Sequence, residues 1–302
     1  MTILTRTRIG SALLAGCALM LSAFPAAVST DGLPALITHA PRLAVEGPAP
    51  LPATDAAWSS SNWSGYAETG TFTAVTGNWT VPTVTAGARG GRLFPASAWY
   101  SSNWLGIDGY ANSDLIQTGT EQDYYLGSAH YSAWWEILPL PERVISQPVS
   151  PGDVMSATIR QTPTQVTVGG GLFGRGIKTT EYDWTITIAD RTRGWTFTTT
   201  QAYNGPGASA EWIVEAPQIF GQISTLANYS FPAGAGAGGD FNSAGVATTL
   251  EGPLVGAGLS YAGDAGTMTQ NNAQVSTPGS PDSAATAFNA LYGPVAPPPP
   301  SS

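Results

Sequence analysis

Residues 210–217, AEWIVEAP, set two glutamates four apart inside a short apolar run. In an extended strand side chains alternate between faces, which places Glu211, Ile213 and Glu215 on one face and Trp212 and Val214 on the other. A carboxylate on a mostly buried face is costly unless partners offset its desolvation. Two glutamates four apart there raise the question of a working group. The β pattern recurs from residue 58 onward. TFTAVTGNWTVP, ASAWYSSNWLGI, AHYSAWWEIL, DVMSATIRQT, TQVTVGG, TEYDWTITIAD and GWTFTTTQAY are rich in Thr, Val, Trp and Tyr, with turn residues between them. No convincing long amphipathic helix follows residue 30. The reading is a single all-β domain over residues 58–290, an antiparallel two-sheet β-sandwich. GGGLFGRGIKTT (169–180) lacks phosphate-loop spacing and reads as a hairpin loop. PAGAGAGGD (232–240) reads as a flexible loop, and the Pro/Ser-rich stretch 291–302 as a disordered tail.

Composition changes the picture at the N-terminus. Arg6 and Arg8, the apolar run IGSALLAGCALMLSAF and the small residues of PAAVS read as a signal peptide over 1–29. A secreted, extracellular product follows, with lipoprotein anchoring through Cys17 as the lesser alternative. Residues 30–57 are rich in Pro and Ala without a clear period, and read as a propeptide or linker. Cys17 is the one cysteine in the chain, so the mature product has no disulfide, thiol nucleophile or Cys-ligated metal. Removing 1–57 would take away Asp31, Glu46 and Asp55 together with Arg6, Arg8 and Arg42, which leaves the net charge at −9. Such a surface suits neither nucleic acid nor an anionic membrane. With few bases, little positive repulsion builds up at low pH, which suits an acidic medium. Asn62, Asn78 and Asn228 lie in N-x-[ST] sequons, which matter only in a glycosylating host.

Elimination narrows the chemistry. The chain has two histidines; if 30–57 is removed, His39 goes with it and His130 remains as the candidate base for a Ser-His-Asp triad. A zinc site of His or Cys ligands cannot be built from one histidine, and no D-x-D-x-D-G calcium loop occurs. No metal or cofactor is expected. Carboxylates, amides and aromatics remain, concentrated in NWLGIDGYANSDLIQTGTEQDYY, YSAWWEILP and AEWIVEAP. Alternation puts Trp104, Gly106 and Asp108 on one face, and Trp134 and Glu136 on another. Taken singly, a strand Trp is usually core and a lone Glu usually solvated. Gln117 stands out, because an amide inside an apolar strand demands partners.

SNWSGY, GNWTVP, WLGIDG, LIQTG, AWWE and AEWIVE occur in an order that resembles the glutamic peptidases, or eqolisins, from about residue 60 to 217. The resemblance implies a concanavalin-like sandwich and a pepstatin-insensitive acid endopeptidase made with a signal peptide and propeptide. It further implies a catalytic pair, Gln117 and Glu215, with Glu215 as general base and acid and Gln117 as oxyanion stabiliser. Trp104, Asp108, Glu121, Trp134, Glu136, Asn62 and Trp63 would bind substrate or support the pair. Glu121 stands where aspartate is typical of the family, and Ile137 and Leu138 replace aromatics, so subsite preference is open. The absence of disulfides leans toward a bacterial-type member. Glu211 is expected to be structural, or to tune Glu215 as a nearby like charge. Expected partners are protein or peptide substrates, with no nucleic acid, no membrane after signal removal, and a monomeric state. Two other readings stay open: a glycoside hydrolase using Glu136 and Glu215, and a non-catalytic sandwich that binds through tryptophan platforms.

Overall fold

The computed structural model describes residues 37–45, 58–87, 97–168, 177–230, 249–251, 265–282 and 287–300. Every regular element among them is a strand. The first five are β1 (Ile37–Thr38), β2 (Trp58–Ser60), β3 (Trp63–Thr69), β4 (Ala74–Thr80) and β5 (Thr83–Thr85). Next come β6 (Ser102–Ile107), β7 (Ile116–Tyr125), β8 (Ser128–Ile137), β9 (Arg143–Ile145), β10 (Val154–Val168), β11 (Ile177–Asp190) and β12 (Trp195–Ala202). The remainder are β13 (Ser209–Glu215), β14 (Gln218–Ile219), β15 (Gln222–Ile223), β16 (Asn228–Ser230), β17 (Thr249–Glu251), β18 (Ala265–Gln270), β19 (Ala273–Pro278) and β20 (Ala290–Tyr292).

Two sheets face each other. The larger runs β20-β19-β18-β3-β13-β6-β7-β8-β9 with β2 added in parallel at β18, and the smaller runs β12-β11-β10-β4-β17. All other pairings within the two sheets are antiparallel. This is the expected two-sheet sandwich. Leu105, Ile107, Trp212 and Val214 of the larger sheet pack with Val75, Ile159, Trp184 and Ile186 of the smaller. Period two dictates that arrangement, since every second side chain of each strand enters the inter-sheet layer. Indoles in this layer find acceptors: Trp212 Nε1 donates to the Thr76 carbonyl at 3.0 Å, and Trp79 Nε1 to Thr120 Oγ1 at 2.9 Å. An indole N–H without a partner there would cost about 1–3 kcal/mol.

Three segments show more than the sequence reading held. DVMSATIRQT and TQVTVGG form one strand, β10, that continues through Pro163. A proline is tolerated because β10 pairs with β4 only as far as Arg160; beyond it the strand has one partner and no ladder donor is needed on the open side. Its hairpin to β11 closes at Val168 and Ile177, as the glycine-rich loop implied; residues 169–176 themselves, the loop 232–240 and the signal segment 1–29 lie outside the described residues. Where composition suggested a disordered tail, β20 runs to Tyr292, Pro297 is buried, and Asn289 Nδ2 donates to the Pro298 carbonyl at 2.9 Å. Residues 37–45, within the stretch read as a propeptide or linker, are packed against the domain. Ile37 and Thr38 pair with Ile219 and Gln218, and the Leu43 and Val45 amides bond to Asn62 and Ser59.

Candidate active site

Strand register assembles the chemistry. Across β13, β6, β7 and β8 one row of opposed residues is Glu211, Gly106, Gln117 and Glu136. The next row is Ile213, Trp104, Gly119 and Trp134, and the third is Glu215, Ser102, Glu121 and Ser132. The rows are two residues apart, so all of these side chains share the face turned away from the inter-sheet core. Glycine makes room for the tryptophans. A Cβ on Gly119 would lie 2.3 Å from the Asn103 carbonyl oxygen and 2.5 Å from Trp104 Cβ. Trp63, Trp104 and Trp134 thus form a second apolar cluster on this face, with Trp63 edge-on to Trp104 at 4.9 Å.

Glu215 is fully buried. Its Oε2 accepts from Trp104 Nε1 at 2.8 Å, and its Oε1 lies 3.4 Å from Asn62 Nδ2. Gln117 donates from Nε2 to Glu136 Oε2 at 2.7 Å. Among the described contacts Gln117 and Glu215 share no direct hydrogen bond. The link is His39. Its backbone N–H donates to Glu136 Oε2 at 3.1 Å, while its ring Nδ1 sits 3.0 Å from Glu215 Oε2. The next amide, Ala40 N, donates to Glu215 Oε1 at 3.1 Å, and the Ala40 carbonyl accepts from Trp63 Nε1 at 2.9 Å. A stretch of the chain's own peptide backbone therefore lies across Glu215 and Glu136, the acceptor of the Gln117 amide.

The electrostatics follow from burial. Desolvation pushes the Glu136 carboxyl up to about 8; His39 pulls it back and Glu215 adds to the rise. Desolvation likewise lifts Glu121 to about 7 against the lowering effect of His39. Burial lowers the His39 imidazole, but Glu215, Glu121 and Glu142 more than reverse this and hold it well above its ordinary value. Its Nε2 is 3.2 Å from Glu121 Oε1 and 3.5 Å from Glu142 Oε2, at ion-pair rather than hydrogen-bond geometry. Among the described residues His39, Glu121 and Glu142 are the one group with metal-ligand donors close together. The raised proton affinity of the ring opposes that use, because a ligating imidazole must be neutral.

Most residues singled out from sequence converge here: Gln117, Glu215, Trp104, Glu121, Trp134, Glu136, Asn62 and Trp63. Asp108 does not touch the pair. It takes φ +71° just after β6 and accepts from Tyr203 Oη at 2.7 Å, Gly207 N at 2.9 Å and Ala208 N at 2.8 Å. Its work is to tie the 203–208 segment to the end of β6. Glu211 is buried on the expected face, but the charge that perturbs it is not Glu215. Burial raises its carboxyl well above the usual range, Ser209 opposes, and Asp108 adds to the rise. His130 stacks on Tyr125 at 3.8 Å and bonds Ser128, far along β8 from the site. No base for a triad comes from it. Two site residues had no signal in the sequence: His39, in a stretch without a period, and Glu142, a lone glutamate in PLPERV.

Residues 61–169 match the Peptidase A4 family. Over 174 residues the chain is 30% identical to aspergillopepsin-2 of Aspergillus niger, an alignment that covers 52% of this chain and 56% of that protein. The chain thus spans little more than half the length of this curated relative. Two solved structures of scytalido-glutamic peptidase share the fold. One, with a transition state analog inhibitor, has a TM-score of 0.52 at 19% identity; the other, with a peptide-based transition state analog, has 0.51 at 21%. Each covers 77% of this chain and 98% of the other. Residues 61–169 are thus similar in sequence to the Peptidase A4 family, and the sandwich is similar in fold to scytalido-glutamic peptidase.

Proposed function

We propose that this protein is a secreted, monomeric acid endopeptidase that cuts protein or peptide substrates with Glu215 and Gln117. The observation that supports this most directly is the peptide backbone at His39 and Ala40, which lies against Glu215 and against Glu136, the residue that Gln117 bonds. A substrate backbone in the same place puts its carbonyl within reach of both. Glu215, as carboxylate, takes a proton from water, and the water oxygen bonds to the carbonyl carbon. The second N–H of the Gln117 carboxamide, the one not given to Glu136, donates to the oxyanion. One such donor is worth roughly 2.7–4 kcal/mol of transition-state stabilisation. The proton on Glu215 then passes to the leaving amine as the C–N bond breaks. Trp104 Nε1–H and Asn62 fix the carboxylate in place.

The same contacts make the full chain a latent form, with 37–45 as the covering part of a propeptide. The test is digestion of a denatured protein between pH 2 and 7, with pepstatin, with EDTA and with neither. Acid-dependent cleavage indifferent to both agents is expected, appearing as residues 1–57 are lost by mass spectrometry. Glu215→Gln should lower turnover at least about 10²–10⁴-fold with an unchanged circular dichroism spectrum. An optimum above pH 7, or loss of activity in EDTA, would defeat the reading.

A further inference from the structure

We infer that Trp134, Glu121, Glu142 and Glu215 form a subsite that selects a histidine side chain in a bound peptide, and that His39 is its resident occupant. The inference rests on the peptidase reading for what is done with the bound peptide, but the pocket itself rests on geometry. The His39 ring lies flat on Trp134, with centroids 3.7 Å apart and planes within 12°. Both ring nitrogens meet carboxylates from opposite sides, Nδ1 toward Glu215 at 3.0 Å and Nε2 toward Glu121 at 3.2 Å and Glu142 at 3.5 Å. The ring is fully buried, and so is Glu121 apart from 1%. Neither Glu121 oxygen has a hydrogen bond, so what this carboxyl offers is charge aimed at the ring edge.

Each feature discriminates. A flat indole floor favours a planar cation over a tetrahedral ammonium. Carboxylates on two edges of the ring match an imidazolium, in which both nitrogens donate. An apolar side chain of similar size would leave Glu121 and Glu215 buried without a counter-charge, the costly case. The backbone on either side is held independently of the side chain: His39 N by Glu136, Ala40 N by Glu215, and the Ala40 carbonyl by Trp63. A peptide in trans would meet the same three contacts. The titratable groups facing the ring are Glu121 from β7, Glu136 from β8, Glu142 from the segment after it, and Glu215 from β13. Burial raises Glu121 to about 7, so its charge on the ring, and with it the selection, is fullest above pH 7 and fades in acid.

The experiment uses full chains with His, Ala, Leu or Lys at position 39, so that residues 36–45 act as the bound peptide in cis. Hydrogen exchange of the Ala40 amide, which Glu215 holds, is followed by NMR at pH 7.5. Exchange should be about tenfold or more faster in the Ala and Leu chains than in the parent, and faster in the Lys chain as well. The difference should vanish in the Glu121→Gln, Glu142→Gln background. Equal exchange in the His and Ala chains, or slower exchange in the Lys chain, overturns the inference. A second readout follows the ring itself. The chain has two histidines, so NMR with His130→Ala isolates the His39 ring. It should stay protonated above its ordinary range in the otherwise unaltered chain and fall toward it when Glu121 and Glu142 become glutamines; a ring that titrates normally overturns the inference whatever the exchange shows. The two readings fail separately. Acid proteolysis without histidine selection leaves the peptidase standing alone, and selection without proteolysis by any variant leaves the pocket as a binding site and defeats the peptidase.

Discussion

Glu215 and Gln117 are held in different ways, and the difference sets what their variants should do. Glu215 takes a charge-assisted bond from the Trp104 indole at 2.8 Å. Trp104→Phe keeps an aromatic ring, though a smaller one, and loses that donor, so kcat/KM should drop about tenfold to a hundredfold, the value of one hydrogen bond to a charged group. An unchanged kcat/KM would mean the indole only fills space. Gln117 has a neutral donor at any pH. In Gln117→Glu the new carboxyl would lie against Glu136, already pushed up to about 8 by burial, so both would resist ionisation. Protonated, the new acid can still donate one bond to an oxyanion; ionised, it repels one. Turnover should be crippled overall, persist at the lowest pH, and vanish as pH rises sooner than in the parent chain. Gln117→Ala should be poor throughout. A parent-like pH profile for Gln117→Glu, with kcat/KM measured from pH 2 to 6, removes Gln117 from the oxyanion role.

At the scale of strands, the site depends on β6 and β7 staying in register while a tryptophan lies where a neighbouring side chain would be. Gly119 opposite Trp104 makes that possible. Gly119→Ala adds a methyl group 2.3 Å from a backbone carbonyl and 2.5 Å from Trp104 Cβ. Neither can move without shifting the ladder, so the variant should lose about 1–3 kcal/mol, as overpacked cores do. It should also lose activity in step, because Trp104 carries the bond to Glu215. Urea unfolding and a peptide assay on the same preparation test this. Lost activity at unchanged stability would show instead that Trp104 alone had moved. The strand alternation of AEWIVEAP holds at this scale: Trp212 and Val214 enter the core and Ile213 and Glu215 the opposite face. Both faces of β13 are nevertheless buried, since the tryptophan cluster packs on Ile213 and the backbone at His39 and Ala40 meets Glu215.

Over the whole molecule, the buried acids make stability depend on pH with one sign. Glu211 and Asp123 are raised well above the ordinary range, Glu121 to about 7 and Glu136 to about 8, chiefly by desolvation, and His39 is raised as well. A group whose folded pKa exceeds its unfolded one contributes stability that is fully present below the unfolded value and lost as pH rises through the folded value. For the acids that window opens near about pH 4 and extends to about 8 at Glu136. Thermal midpoints should therefore be highest in acid and fall across this range. Glu211→Gln, a neutral isostere away from Glu215, should raise the midpoint at pH 8, change it little at pH 4, and leave turnover measurable. A midpoint that climbs from pH 4 to 8 in the parent chain would show that these acids are solvated. The scarcity of bases, 11 Lys and Arg in 302 residues, points the same way, since protonating the acids leaves little positive charge to repel itself.

Periodicity and motif order were enough to read the sandwich, the faces of β6 and β13, and the candidacy of Gln117 and Glu215. Those are properties of short stretches, where a period of two fixes which side chains share a face before any partner is known. Contacts distant in sequence were not legible there. Asp108 shares its strand alternation with Trp104, yet a turn with positive φ takes its carboxylate to the 203–208 segment. Glu211 sits four residues from Glu215, yet its electrostatic neighbour is Asp108. Residues 37–45 have no pattern of their own because their partners are supplied by the domain, as when His39 meets Glu215 across 176 positions. Local sequence carries the geometry of a strand; only the folded chain brings an imidazole, four glutamates and a tryptophan to one place, because they come from β7, β8, β13 and two segments outside those strands.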